Sequence, residues 1–72
     1  MKKYTEVTEV LQDVDNGVEV FWSSFNYKIV KQKFEYFVKS PNHRLYFFDG
    51  DGNPNVDLAS IFSNQFPSKS ED

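Results

Sequence analysis

The hydrophobic positions follow two different periods along the chain. Near the N-terminus, four apolar residues recur at the spacing of one helix face: Val7, Val10, Leu11 and Val14. This spacing predicts a helix over about residues 5–14, with Thr5 as its N-cap and Asn16 and Gly17 as its stop signal. Because β-branched valines weaken intrinsic helix propensity, we expect this helix to depend on packing against the rest of the protein.

After Gly17 the period shortens to two, as in β-strands. Segments rich in β-branched and aromatic residues predict four strands: 18–22, 27–32, 35–39 and 44–48. The residues from Ser23 to Asn26 suit a short hairpin loop, and Pro41 and Asn42 favour a turn. Because every connection is short, the sequence predicts an antiparallel meander.

The last part of the chain predicts one more element after an acidic loop. Four apolar residues indicate a short helical segment over about residues 56–64: Val56, Leu58, Ile61 and Phe62. The expected fold class is therefore α+β, with the N-terminal helix packed on a four-stranded antiparallel β-meander and a short C-terminal helical segment. We expect one small domain over residues 1–66 and a flexible polar tail over residues 67–72.

Alternation divides the predicted sheet into two faces. The first face is almost wholly apolar and suits the helix: Val18, Val20, Trp22, Tyr27, Ile29, Tyr36, Val38, Leu45 and Phe47. The second face mixes rings with charges: Glu19, Phe21, Lys28, Val30, Glu35, Phe37, Lys39, Arg44, Tyr46 and Phe48. It is more aromatic than an ordinary solvent-facing surface.

Composition and charge add two constraints. Aromatic residues make up 18% of the 72 residues, far more than a disordered chain carries, and there is no cysteine for a disulfide or a thiolate metal site. The net charge of −3 conceals a segregation: residues 23–48 hold five cations against Glu35 alone, while both ends of the chain are acidic. Such a distribution attracts one charged partner and repels others, or it is compensated within the protein itself.

No residue pattern predicts catalysis or a cofactor. His43 is the only histidine and lies in a predicted turn, and the acidic run 49–52 has the wrong charge for a phosphate-binding loop. We therefore expect a protein that is not an enzyme and binds no cofactor.

The acidic loop is the closest approach to a metal motif. Oxygen-bearing residues alternate as in a calcium-binding loop: Asp49, Asp51, Asn53, Asn55 and Asp57. However, Pro54 occupies the position of the glycine that the sharp turn needs, and Ser60 occupies that of the bidentate glutamate. We expect a solvated connecting loop rather than a calcium or other metal site.

The second face supplies the candidate binding residues: Phe21, Lys28, Phe37, Lys39, Arg44, Tyr46 and Phe48. Three interpretations are open. The C-terminal segment, with Phe62 and Phe66, buries the rings; or the face is a protein interface, on a partner or a second copy of the chain, since aromatic residues and arginine are usual anchors. In the third, it stacks bases and neutralises phosphates of single-stranded nucleic acid.

Residues 9–22 and 27–31 carry a resemblance. A short helix ending at Asn16 and Gly17, an aromatic strand ending in Trp22 and a returning hairpin resemble short uncharacterised accessory proteins of tailed phages, especially cyanophages. The resemblance implies a viral accessory protein acting in the host cytoplasm, and it transfers no functional residues. With no apolar run long enough to span a bilayer, we expect a soluble cytoplasmic protein that does not interact with membranes.

Overall fold

The computed structural model describes residues 1–64, which form one helix and one six-stranded antiparallel sheet. In chain order the elements are β1 (Lys2–Lys3), α1 (Val7–Asp15), β2 (Val20–Trp22), β3 (Ser24–Gln32), β4 (Glu35–Lys39), β5 (Arg44–Tyr46) and β6 (Ile61–Ser63). The strand order across the sheet is β1-β6-β2-β3-β4-β5. The predicted α+β class is confirmed, and the predicted meander forms four neighbouring strands of this larger sheet.

The C-terminal segment is a strand rather than the predicted helix. A 3-10 turn at Leu58–Ser60 leads into β6, which pairs with β2 on one side and with β1 on the other. The backbone groups along the free edge of β2 need hydrogen-bond partners, and an extended β6 supplies them where a helix would not. Residues 58–62 therefore do not lie over the second face as a helical cover, although Phe62 packs against Phe21 as its neighbour within the sheet. Phe66 and the predicted tail lie outside the described residues.

Helix α1 starts two residues later than predicted, with Glu6 rather than Thr5 as the N-cap. The Glu9 carboxylate accepts hydrogen bonds from the backbone N–H groups of Thr5 at 3.1 Å and Glu6 at 3.3 Å. These bonds, that from Thr5 first, lower the pKa of Glu9. At the other end Gly17 has φ +86°, a conformation that a residue with a side chain rarely adopts.

The hydrophobic core lies between α1 and the first face of the sheet. Its fully buried members come from the helix, three strands and the chain after β5: Val10, Val20, Ile29, Ile61 and Phe47. Most of the first face lies against the core, with two exceptions: Tyr27 is 38% exposed and Leu45 is 48% exposed. Leu45 pairs with Val38 but belongs to the edge strand β5, where no further strand follows within residues 1–64.

Two tight turns between strands place a residue other than glycine at positive φ. The predicted loop from Ser23 to Asn26 contracts to Ser23 alone, which has φ +67°, and β3 begins at Ser24. Between β3 and β4 the loop is Lys33 and Phe34, and Lys33 has φ +58°. Left-handed backbone at residues other than glycine costs free energy, so tertiary contacts must hold both turns.

Candidate functional site

The sheet register aligns one residue of each strand across the second face. Successive pairs place Lys3 opposite Phe62, Phe62 opposite Phe21, and Phe21 opposite Lys28. Lys28 is opposite Lys39, which is opposite Arg44. We call this six-residue line the cationic row: Lys3, Phe62, Phe21, Lys28, Lys39 and Arg44.

Three neighbouring strands contribute directly adjacent cations to this row. Lys28, Lys39 and Arg44 are cross-strand neighbours, and like charges in such positions destabilise a sheet. Lys28 is partly compensated by Glu19, whose carboxylate oxygen lies 3.3 Å from the ammonium. Lys39 forms no ion pair or side-chain hydrogen bond within residues 1–64. The row therefore keeps positive charge that the described part of the chain does not neutralise.

Arg44 is held in a fixed position at the end of the row. Its guanidinium lies over the ring of Phe37, 4.4 Å from the ring centroid. The same group donates a hydrogen bond of 2.7 Å to the side-chain oxygen of Gln32. At the opposite end, the Lys3 ammonium lies 5.7 Å from the centroid of the Phe62 ring. Rings beneath both ends of the row favour cations above them.

Most rings of the second face are already packed. Phe37 is 6% exposed, and Phe21 and Phe62 are also buried, with 5.7 Å between the centroids of the latter two rings. Phe25 closes this cluster edge-on, at 4.9 Å from Phe21 and 5.2 Å from Phe62. Phe21, Phe37 and Phe62 thus form a packed floor rather than free surfaces for stacking, whereas Phe25 is 55% exposed.

Two of the predicted candidate rings behave differently from this floor. Tyr46 lies on the second face opposite Phe37 and is 56% exposed. Phe48 does not lie there: its ring packs against the core and contacts Phe47 at 4.9 Å. Its placement on the second face is wrong because β5 ends at Tyr46 and the strand alternation ends with it.

Of the seven candidate residues, the structure therefore brings six together and separates Phe48. Lys3 and Phe25 belong to the same surface but did not emerge from sequence reasoning, whereas Phe62 was expected in a covering segment and instead lies in the sheet itself. The positions of Lys3 and Phe62 in strands were missed because β1 and β6 are only two and three residues long. For β6, the local sign of a strand was the pair of adjacent apolar residues Ile61 and Phe62, because neighbouring residues of a strand face opposite sides of the sheet.

Polar side chains of the acidic loop form hydrogen bonds within the loop and to the preceding strand. One carboxylate oxygen of Asp49 accepts hydrogen bonds from the backbone N–H groups of Asp51 at 2.8 Å and Asn53 at 2.9 Å. The Asn55 side chain donates to the carbonyl of Tyr46 at 2.9 Å. Residues 1–64 contain no group of three or more histidine, aspartate or glutamate side chains that could hold a metal ion.

Asp57 at the end of this loop joins it to the sheet. Its carboxylate accepts hydrogen bonds from the Ser60 hydroxyl at 2.6 Å and from the indole of Trp22 at 3.2 Å. These two bonds, that from Ser60 first, lower the pKa of Asp57. The carboxylate is committed to holding the 3-10 turn against β2.

Comparison with known proteins identifies no relative, so a function is inferred from the side chains described above. No protein family model, no curated protein and no solved structure matches the chain. In the described part of the chain, no helix has the length and apolar character needed to cross a membrane.

Proposed function

We propose that this protein is a small non-enzymatic binding protein whose second face docks on an acidic surface of a protein partner. The observation that carries the proposal is the set of adjacent cations Lys28, Lys39 and Arg44. Because this arrangement costs stability in the free protein, an anionic partner that relieves the repulsion gains binding free energy. The resemblance of residues 9–22 and 27–31 to phage accessory proteins supports the same proposal, in which the protein acts on a host component.

The positive charge of the cationic row also argues against a second copy of the chain as the partner. Two copies packed with their cationic rows against each other would oppose cation to cation, which is unfavourable in a partly desolvated interface. An acidic protein surface instead meets the row with opposite charge. The ordered guanidinium of Arg44 and the exposed ring of Tyr46 are the residue types that most often anchor such interfaces.

Single-stranded nucleic acid is the second candidate, since the cationic row also suits phosphates. Binders of this class stack bases on neighbouring exposed rings, whereas Phe21, Phe37 and Phe62 are buried and Arg44 covers the ring of Phe37. Phe25 and Tyr46 are exposed, but Phe25 lies beside Phe62 and Tyr46 lies on the edge strand β5. The protein is also acidic overall, with a net charge of −3. Both features favour the protein partner over the nucleic acid.

The test measures binding of two defined probes by fluorescence anisotropy: an unstructured peptide rich in glutamate and aspartate, and an oligothymidylate. The variant Lys39→Gln with Arg44→Gln should weaken binding of the acidic peptide about tenfold. The matched control, Lys31→Gln with Lys33→Gln, changes the net charge equally but lies off the cationic row, and it should leave affinity nearly unchanged.

Two results would overturn the proposal. Equal losses in both double variants would mean that net charge, rather than the row, attracts the peptide. Tighter binding of the oligothymidylate, with affinity falling steeply as salt is raised, would replace the proposal with the nucleic-acid alternative.

A further inference from the structure

A cavity opens at the Lys3 end of the second face. It has a volume of about 510 Å³ and lies between the start of β3, the 3-10 turn that leads into β6, and strand β1. Its lining includes the rings of Phe25 and Phe62, the side chain of Lys3 and the serines at positions 23, 24 and 60. A volume of this size, with two rings and a few polar groups, is typical of sites that accept a side chain or a small ligand.

A constrained turn forms one wall of this cavity. Ser23 adopts φ +67°, and its N–H donates a 2.8 Å hydrogen bond to the carbonyl of Ser60. The register between β2 and β3 shifts after Phe21, so that Trp22 pairs with Ser24. This shift leaves Phe25 on the second face, 55% exposed beside the buried Phe62. The strained turn thus presents one accessible ring over a fixed one.

The cavity and the three adjacent cations lie on one line. Between Lys28 and the cavity residues Phe62 and Lys3 there are two and three strand spacings, which amount to roughly 10–14 Å at ~4.8 Å each. An extended chain rises ~3.4 Å per residue, so about three or four residues cover that distance. A segment crossing the strands can therefore touch the cations and the cavity at once.

We propose that the cavity accepts an aromatic side chain of the acidic partner segment, three or four residues away from the carboxylate that Lys28 binds and farther from those that Lys39 and Arg44 bind. This inference rests on the proposed function and names the partner more narrowly: an extended acidic segment carrying one aromatic residue. The incoming ring packs edge-to-face with Phe25, as Phe25 already does with Phe62 at an interplanar angle of 88°. Lys3 at the rim attracts a further carboxylate next to that ring.

The experiment compares synthetic peptides that hold three acidic residues, a three-residue Gly/Ser spacer and a terminal phenylalanine, made in both chain orders. Each has a partner peptide with alanine in place of phenylalanine. On the unaltered protein, the phenylalanine peptide of at least one order should bind about tenfold more tightly than its alanine partner. The alanine peptides measure the acidic contribution alone.

Two protein variants test whether the gain arises in the cavity. Phe25→Ser removes the accessible ring, and Ala59→Gln fills the cavity while keeping every ring in place. Both should abolish the advantage of phenylalanine over alanine, and Ala59→Gln should leave the affinity for the alanine peptides unchanged. Near-ultraviolet circular dichroism and thermal melts confirm that each variant is folded.

The outcomes separate this inference from the proposed function. Equal binding of phenylalanine and alanine peptides, still sensitive to Lys39→Gln with Arg44→Gln, overturns the cavity and keeps the acidic docking face. An advantage that survives both cavity variants also overturns it, because the ring then binds elsewhere. Absence of binding by all the peptides overturns both.

Discussion

Phenylalanines in this chain range from complete burial to almost complete exposure, and sequence alone does not distinguish them. Phe47 is fully buried in the core, where its ring meets Phe48. Phe34 occupies the loop between β3 and β4 and is 92% exposed. On the second face, burial of Phe37 removes it as a direct anchor and makes it the support of Arg44.

Truncation of these two rings should have very different effects on stability. Phe47→Ala removes a ring from a packed core and should lower the free energy of unfolding by about 3–5 kcal/mol. Phe34→Ala removes a ring that is already in water, and the change should stay within about 0.5 kcal/mol. Urea denaturation followed by tryptophan fluorescence measures both, and losses of similar size would contradict this placement of the two residues.

At the scale of elements, the β3–β4 hairpin shows how local pattern and backbone strain combine. Its register runs without interruption from Lys28 opposite Lys39 to Gln32 opposite Glu35. The two-residue loop nevertheless places Lys33 at φ +58°, where asparagine or glycine is usual. The pairing of the two strands is thus strong enough to hold an unfavourable loop residue.

Substitution of Lys33 should therefore change stability in opposite directions. Lys33→Gly relieves the left-handed strain and should raise the free energy of unfolding by up to about 1 kcal/mol, the greater freedom of glycine in the unfolded chain offsetting part of the gain. Lys33→Val places a β-branched residue at the same φ and should lower it by about 1 kcal/mol or more. Urea midpoints that shift in the same direction for both variants would show that φ is not the determinant.

The success of element prediction followed the range of the contacts involved. Strand β4 was predicted with its observed limits, and the last residue of β3 was also predicted, because alternation within each segment is a local signal. β1 and β6 were missed because each exists only through pairing with a distant part of the chain. Phe48 was predicted on the wrong face for a related reason. Strand β5 ends at Tyr46, and beyond it contacts with the core determine where the ring of Phe48 lies.

At the scale of the whole molecule, Asp13 joins the N-terminal strand to the helix. Its Oδ2 atom accepts hydrogen bonds from the Lys2 ammonium at 2.8 Å and from the Tyr4 hydroxyl at 2.6 Å. Burial alone would raise the pKa of Asp13, but these bonds and the charge of Lys2 outweigh it and lower the pKa below 3.8. Burial, together with the bond to Asp13, raises the pKa of the Tyr4 phenol.

This arrangement predicts a loss of stability in acid. Because the pKa of Asp13 is lower in the folded than in the unfolded protein, its stabilising effect is fully present above about pH 4 and is lost as the pH falls through the folded-state pKa. Asp13→Asn should lower the free energy of unfolding by about 1–2 kcal/mol near neutral pH. The difference between the variant and the unaltered protein should shrink towards pH ~2.

Thermal melts across this pH range provide the measurement. Asp51→Asn is the control, because the carboxylate of Asp51 forms no hydrogen bond or ion pair within residues 1–64. It should melt like the unaltered protein at every pH. A constant difference between Asp13→Asn and the unaltered protein from neutral to acid pH would exclude the ionised carboxylate as the source of stabilisation.

The sequence by itself determined the helix, the hairpin strands and the two-faced sheet, since these follow from periodicities that a short segment carries alone. It also determined that Lys28, Lys39 and Arg44 share a face. Only the tertiary structure decided that β6 and β1 extend the sheet and that packed rings lie beside the cations of the second face. It also decided that Lys3 and Phe25 border a cavity at one end of the cationic row. These features depend on pairing between residues 2–3, 20–22 and 61–63. Because these segments are far apart in the sequence, no short segment by itself reveals that they pair.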